Sequence, residues 1–233
     1  MGLPSIATPQ FSTTIPSTGQ EIEYRPFLVK EEKVLMMAME GGDSKEIAKA
    51  TKNIIKSCVL DDINVSKLTT YDFEFLFLRL RAKSVGETIE LKVTHSDDNN
   101  KCKSSTDVVI DIDDINVTEQ KTDNKIMLTD DIGVVLRYPG IDDVEGITST
   151  DSDKMFDMIA NCVDYVFDKE NVFNEFTEKE MKEWIEGLSQ SQFSKISEFF
   201  SDIPKLQYDV EWTCDECGKK DKITLEGLQS FFM

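Results

Sequence analysis

Two cysteines near the end of the chain have the spacing of a metal-binding turn. Cys214 and Cys217 are separated by two residues and followed by Gly218, with alternating polar and apolar residues on both sides. A tight hairpin of this kind directs two thiolates at one point, and zinc is the metal that such turns commonly hold. A tetrahedral zinc shell needs two more ligands, so a second pair must come from elsewhere in the chain.

The second ligand pair is predicted at His95 and Cys102, in the other segment that alternates in polarity around a polar tip. The sequence therefore predicts a zinc-ribbon-like site of His95, Cys102, Cys214 and Cys217 holding one structural zinc and no substrate. Six residues separate His95 from Cys102, whereas a zinc knuckle usually has about two to four. An ordinary loop is therefore the alternative. A redox-active cysteine pair is another, although the βαβ pattern typical of such pairs is missing.

Motifs of catalysis are missing from the sequence. His95 is the only histidine, which removes most mechanisms that use an imidazole as acid or base. We find no phosphate-binding loop, nucleophile elbow or zinc-protease motif. The acidic run at 111–116 lacks the oxygen ligand, glycine and closing glutamate of a calcium loop. We predict that the protein is not an enzyme and has no small-molecule substrate; a hydrolase using paired carboxylates such as Asp142 and Asp143 is the minor alternative.

Composition and charge restrict the class of partner. The chain has 233 residues, 39% hydrophobic and 9% aromatic, with Lys+Arg 26 against Asp+Glu 45 and a net charge of −19. It is too apolar for a disordered chain. A strongly acidic protein is a poor nucleic-acid binder, because such binding needs a basic face. No apolar run reaches the roughly 18 to 20 residues that span a bilayer, and the N-terminus lacks a secretory signal. We expect a globular protein of a reducing cytoplasm that binds other proteins.

Periodicity predicts an α+β fold of helices and antiparallel β-hairpins. Helical spacing predicts helices at Val29–Glu40, around Ile47–Cys58, at Thr70–Lys83, at Met155–Phe167, after a capping box at Thr177, around Phe193–Phe200, and at Thr224–Phe232. Strict alternation predicts hairpins at 88–112 and 207–225. Cys58 and Cys162 lie on apolar helical stripes and are predicted to be buried thiols.

The predicted regions follow from these elements. They are an extended arm at 1–20, an N-terminal α+β region at 21–145, a helical region at 146–204, and a C-terminal hairpin with a short helix at 205–233. We expect them to form one compact domain. The two hairpins are expected to come together although about a hundred residues lie between them, because the zinc shell requires it.

The segment Tyr24–Ala38, with the sequence YRPFLVKEEKVLMMA, carries a family resemblance. It resembles the opening motif of the baseplate hub proteins of T-even-like contractile-tailed phages, the family of the hub subunit and the hub assembly catalyst. The similarity continues through the next helix to Cys58 and returns at Val135–Pro139, with the sequence VLRYP. Since family members have about this length, the resemblance covers nearly the whole chain.

The resemblance implies a non-enzymatic component of the phage baseplate hub that acts by protein–protein contacts. It implies other baseplate and tail proteins as partners, and a place in the virion tail baseplate after assembly in the host cytoplasm. Two alternatives stay open at this point. In the first, the protein is a transient assembly catalyst that is absent from the finished tail, and not a lasting virion subunit. In the second, it is a zinc-ribbon adaptor protein of another machine.

Overall fold

The computed structural model describes residues 6–95, 102, 104–119, 122–144 and 152–231. Expectations for the first five residues of the arm, for the hairpin tip at 96–101, for the boundary at 145–146 and for the last two residues lie outside these ranges. Within the described residues, no helix has both the length and the apolar character needed to cross a membrane.

The described chain forms seven helices and four small antiparallel sheets, which confirms the predicted α+β class. The helices are α1 (Val29–Gly41), α2 (Ser44–Cys58), α3 (Thr70–Ser84), α4 (Ile141–Val144), α5 (Ser152–Asn161), α6 (Glu178–Glu186) and α7 (Gln190–Ser201). The strands are β1 (Phe11–Thr14), β2 (Glu21–Tyr24), β3 (Thr88–Thr94), β4 (Ser105–Asp111), β5 (Asn116–Val117), β6 (Lys125–Met127), β7 (Gly133–Leu136), β8 (Val163–Phe167), β9 (Val172–Phe173), β10 (Leu206–Thr213) and β11 (Lys220–Glu226).

The chain divides into two compact units. The first unit comprises residues 1–65, 71–118 and 205–233, and the second comprises 66–70 and 119–204. The first unit contains three sheets, ordered β1-β2, β3-β4 and β11-β10-β5. Its helix α3 is buried around most of its circumference, as its nearly continuous apolar sequence predicts.

The described part of the N-terminal arm forms a strand that pairs with the next strand of the same chain. β1 lies antiparallel to β2, with Phe11 opposite Tyr24 and Thr14 opposite Glu21. Ile15 follows β1 and is 2% exposed. The Ser17 backbone N–H donates to the Asp72 carboxylate at 2.9 Å, which ties the turn after β1 to α3. The alternating polarity of β1 and β2 therefore gives a hairpin with one buried face.

The second unit is built on a four-stranded sheet, ordered β6-β7-β8-β9. Helices α5, α6 and α7 contribute Ile159, Met181, Ile196 and Phe199 to a core shared with β6, β7 and β8. The predicted capping box at Thr177 is present, because its hydroxyl accepts from the backbone N–H of Glu180 while the Glu180 carboxylate accepts from the Thr177 N–H. The aromatic stripes of α6 and α7 thus serve mainly as core.

Two predicted helices were wrong over part of their length, the first at its C-terminal end and the second at its N-terminal end. The helix predicted at Met155–Phe167 stops at Asn161, and Val163–Phe167 forms β8 instead. The sequence VDYVF is rich in β-branched and aromatic residues, and pairing with β7 outweighs the helical periodicity. The helix predicted at Thr224–Phe232 is a continuation of β11 to Glu226, followed by a short 3₁₀ turn. Gly227, with a φ of 71°, reverses the chain between them.

An arginine anchors the start of the helical segment in the first unit. The Arg25 guanidinium donates to both oxygens of Glu31, at 2.8 and 3.1 Å, and to the backbone carbonyl of Ser57 at 2.9 Å. The Arg25 backbone N–H donates to the carbonyl of Cys58 at 2.9 Å. Phe27 beside it is 8% exposed. The arginine therefore joins the end of β2, the first turn of α1 and the end of α2.

The second unit repeats this arrangement with different residues. Arg137 follows β7 and donates to both oxygens of Asp143, at 2.6 and 3.1 Å, and to the carbonyl of Asn161 at 2.7 Å. Its backbone N–H donates to the carbonyl of Cys162 at 2.8 Å. In both units the arginine pairs with a carboxylate six residues later and contacts the end of a helix, where a buried cysteine is either the last helical residue (Cys58) or the residue after it (Cys162). Cys58 and Cys162 are each 0% exposed, as predicted.

Candidate metal centre

The C-terminal hairpin presents two cysteines from a tight turn. β10 and β11 pair in continuous register up to Thr213 opposite Lys220. The Cys214 backbone N–H then donates to the carbonyl of Lys219, and the Gly218 N–H donates back to the carbonyl of Cys214, both at 2.9 Å. Gly218 has a φ of 68°, a conformation that residues with a side chain rarely adopt. This turn holds the two cysteines on one side of the hairpin end.

The other hairpin supplies the second pair. β3 and β4 pair in register up to Thr94 opposite Ser105. His95 comes directly after β3, and Cys102 lies three residues before β4. Both residues therefore lie at the same end of the hairpin, which is where the sequence predicts them.

The four predicted ligand residues come together in the first unit. One ligand atom from each of His95, Cys102, Cys214 and Cys217 lies within 4.8 Å of the other three. The sulfurs of Cys102 and Cys214 are 3.7 Å apart, and the Cys217 sulfur is 3.3 Å from His95 Nε2. All four groups belong to residue types that bind metals, so the cluster could hold a metal ion.

The spacing of these atoms can be compared with that of a tetrahedral zinc site. A zinc ion about 2.3 Å from sulfur and about 2.0 Å from nitrogen holds two sulfurs about 3.8 Å apart, and a sulfur and a nitrogen about 3.5 Å apart. The distances of 3.7 and 3.3 Å lie close to those values. They are far longer than the roughly 2.05 Å of a disulfide bond, and the cysteines are free.

A second layer of residues orients the histidine. Asp221 Oδ2 lies 3.2 Å from His95 Nδ1, so a proton on Nδ1 leaves the Nε2 lone pair facing Cys217. The Trp212 ring lies against the imidazole, with centroids 4.9 Å apart. Trp212, Cys214 and Val93 form a small buried cluster at the junction of the two hairpins. The imidazole thus has a defined orientation, with Nδ1 towards Asp221 and Nε2 towards the cysteines.

The electrostatics of the cluster differ between its thiols. Backbone N–H groups of Cys217 and Glu216 donate to the Cys214 sulfur, and with help from His95 and Cys217 they lower the pKa of Cys214 to about 6. The Ser104 N–H acts to lower the pKa of Cys102, but burial and the neighbouring Cys214 and Cys217 outweigh it and raise that pKa to about 11. Two adjacent thiolates repel each other, so one of them stays protonated unless a cation compensates the charge.

Sequence reasoning missed the two residues that support the histidine. Trp212 and Asp221 occupy opposite positions in the register of β10 and β11. The alternating pattern predicts that both residues lie on the hairpin. Their contacts with His95, however, depend on how this hairpin packs against the hairpin of β3 and β4. Only the tertiary structure shows that this position faces His95.

Comparison with known proteins gives the chain its family. Residues 8–233 match the family described as T4 bacteriophage base plate protein. The chain is also similar to the baseplate hub assembly protein gp26 of Enterobacteria phage T4, with 26% identity over 213 residues, which cover 91% of this chain and 92% of that protein. No solved structure matches the chain. Because the family match extends over nearly every residue that forms the two units and the cysteine hairpin, this chain belongs to the T4 bacteriophage base plate protein family.

Proposed function

We propose that this protein builds the baseplate hub of a contractile phage tail through contacts with other tail proteins. The observation that carries this is the similarity to a protein named for baseplate hub assembly, which extends over 91% of the chain. The proposed location is the virion tail baseplate, with assembly in the host cytoplasm. This role requires no chemical reaction, which agrees with the absence of catalytic motifs from the sequence.

The surface of α1 supports a role in protein contacts. None of the residues of this helix is buried in the described chain. Val34, Met36, Met37 and Met39 are 52%, 56%, 62% and 50% exposed. Methionine side chains are flexible and adapt to differently shaped partners, so they are common in binding surfaces. Exposed apolar side chains of this kind are suited to contact with a partner protein.

A phage that lacks the gene for this chain tests the proposal. We expect such a phage to make no complete hubs, and complementation with the wild-type chain to restore them. Mass spectrometry of purified tails and of hub intermediates then separates the two forms of the role. Stoichiometric presence in tails indicates a lasting subunit, and presence in intermediates alone indicates a transient assembly factor. Normal baseplates without the chain would contradict both.

We infer, as a second and structural role, that the first unit holds one zinc ion through His95 Nε2 and the sulfurs of Cys102, Cys214 and Cys217. The support is the approach of all four ligand atoms to within 4.8 Å of one another. Four protein ligands leave no position for a substrate, so the ion is structural. Its effect is to join the hairpin of β3 and β4 to the hairpin of β10 and β11 near the C-terminus.

Metal content and cobalt substitution test this inference. We expect about one zinc ion per chain after dialysis, and a cobalt-loaded protein with the strong visible absorption of a tetrahedral thiolate site. Replacing His95→Gln or Cys217→Ser should change that spectrum. Cys162→Ser, which changes a buried thiol of the second unit, is the matched control and should leave it unchanged. A protein without bound zinc, or a cobalt spectrum without thiolate absorption, would rule the site out.

A further inference from the structure

An apolar groove lies on the second unit between the β8–β9 edge and α6. Its volume is about 460 Å³, within the range of roughly 300 to 1,000 Å³ that is typical of binding sites. Met181 and Val166 at its base are 3% and 8% exposed, whereas Phe173 and Ile132 at its rim are 50% and 40% exposed. The groove therefore has a packed floor and an apolar rim in contact with solvent.

The edge of the sheet keeps this groove open. β9 is a strand of two residues at the end of the sheet order, and Val172 and Phe173 are 61% and 50% exposed. On the neighbouring strand β8, the Phe167 ring lies against Gly133, where an added Cβ would overlap the ring. Because Gly133 has no side chain, the Phe167 ring packs closely against the backbone of β7. The short edge strand β9, the Phe167 ring and Trp184 line one apolar recess.

The charges around the groove have one sign. Asp168, Glu175 and Glu180 line it, and none of the described residues that line it is Lys or Arg. Backbone N–H groups of Glu170 and Asn171 lower the pKa of Asp168, and the N–H and hydroxyl of Thr177 lower the pKa of Glu180, so both are anionic at neutral pH.

Basic residues near the groove already have acidic or aromatic partners. Lys169 forms an ion pair with Asp131, and Lys182 contacts Asp157 and Glu178. Lys125 lies over the Phe167 ring, with Nζ 4.7 Å from its centroid. The acidic rim is therefore available to positive charges from another molecule.

We propose that this groove binds a segment of another tail protein that carries apolar side chains flanked by Lys or Arg. The proposal rests on the proposed role in hub assembly and names the surface through which it acts. Apolar side chains would fill the recess, and the basic residues would face Asp168, Glu175 and Glu180. A second copy of this chain is a poor occupant, because it carries the same acidic rim and a net charge of −19.

Three synthetic peptides probe the chemistry of the groove. One alternates Lys and Leu in an amphipathic pattern, the second has Glu in place of Lys, and the third has Ser in place of Leu. We expect the Lys/Leu peptide to bind at least about tenfold more tightly than either of the others by calorimetry. It should also change the fluorescence of Trp184, a change that is lost in Trp184→Phe. Equal binding of the Lys/Leu and Lys/Ser peptides would overturn the proposal, because charge alone would explain it.

Matched variants assign the binding to this groove. Glu175→Lys and Phe173→Ser should each weaken the Lys/Leu peptide about tenfold. Glu198→Lys makes the same charge change on an exposed residue of α7 that does not line the groove, and should change the affinity less than about twofold. An equal loss in Glu198→Lys would overturn the proposal. So would a homodimer in sedimentation that Phe173→Ser dissociates, because the occupant would then be a second copy.

Complementation connects the groove to the phage. In a phage lacking the gene, folded Glu175→Lys and Phe173→Ser chains should fail to restore hubs, whereas Glu198→Lys should restore them. If both groove variants restore hubs fully, the groove proposal is wrong and the role in hub assembly still stands. If hubs form in the phage that makes none of this protein, the proposed role in hub assembly is wrong, whatever the peptides bind.

Discussion

Replacing Cys214→Ser is expected to lower the free energy of unfolding of the first unit by about 4 kcal/mol when zinc is present. This figure corresponds to free zinc at about 1,000 times its dissociation constant, since binding to the folded state alone adds stability by mass action. The serine hydroxyl does not ionise as a thiolate does, so the tetrahedral shell loses its most buried ligand. Denaturant titration followed by Trp212 fluorescence, in a Trp184→Phe background, measures the change.

A chelator separates the role of the metal from that of the side chain. With zinc removed, the wild type should lose nearly the same stability, and Cys214→Ser should differ from it by little. Cys58→Ser is the control, because it places a hydroxyl at a fully buried site of the first unit that is not part of the cluster. Its cost should be the same with and without chelator. An equal cost of Cys214→Ser in both conditions would show that Cys214 only packs between the hairpins.

Replacing Arg25→Met is expected to lower the stability of the first unit by about 2 to 4 kcal/mol, because it leaves the largely shielded carboxylate of Glu31 without its arginine partner. The side chains of Arg25 and Glu31 are only 17% and 11% exposed. The arginine also bonds to the carbonyls of Pro26 and Ser57. The double variant Arg25→Met/Glu31→Gln should recover part of the loss, because no unpaired charge then remains at this partly buried position. Thermal and denaturant unfolding of the three proteins provide the comparison.

The same pair predicts a dependence on pH. The hydrogen bonds from Arg25 hold the pKa of Glu31 below its usual value, despite an opposing effect of burial. A carboxyl with a lowered pKa stabilises the folded state above its unfolded pKa of about 4.3. This contribution disappears as the pH falls through the folded pKa. The gap between wild type and Glu31→Gln should therefore shrink on acidification below about pH 4. A gap between wild type and Glu31→Gln that stays constant across this pH range would contradict the prediction.

The arginine motifs show how far local sequence carried the fold. The segments YRPF and VLRYP carry the family resemblance, and periodicity predicts the two helices that follow the first of them. That Arg25 and Arg137 make equivalent contacts could not be read from their neighbours. The carboxylates lie six residues later in each case, but the carbonyls of Ser57 and Asn161 come from 32 and 24 residues away. Such contacts depend on where the second helix ends.

The region from Met155 to Phe167 shows where local pattern was insufficient. Its apolar residues fit a helical stripe, and the first half is helical. From Val163 the chain pairs with β7, whose own residues 133–136 are all buried. Strand propensity and a partner strand decided the outcome, and neither is contained in the periodicity of a single segment.

By itself, the sequence determined the acidic charge, the alternating hairpins, most of the helices and the four residue types suited to a metal. These depend on side-chain chemistry and on contacts within a few residues. Tertiary structure decided that His95 and Cys102 approach Cys214 and Cys217, that Asp221 orients the histidine, and that a short edge strand leaves an acidic apolar groove. Those features join segments as far as 126 residues apart. They arise only when packing selects one arrangement of the hairpins and helices among the many that the local patterns allow.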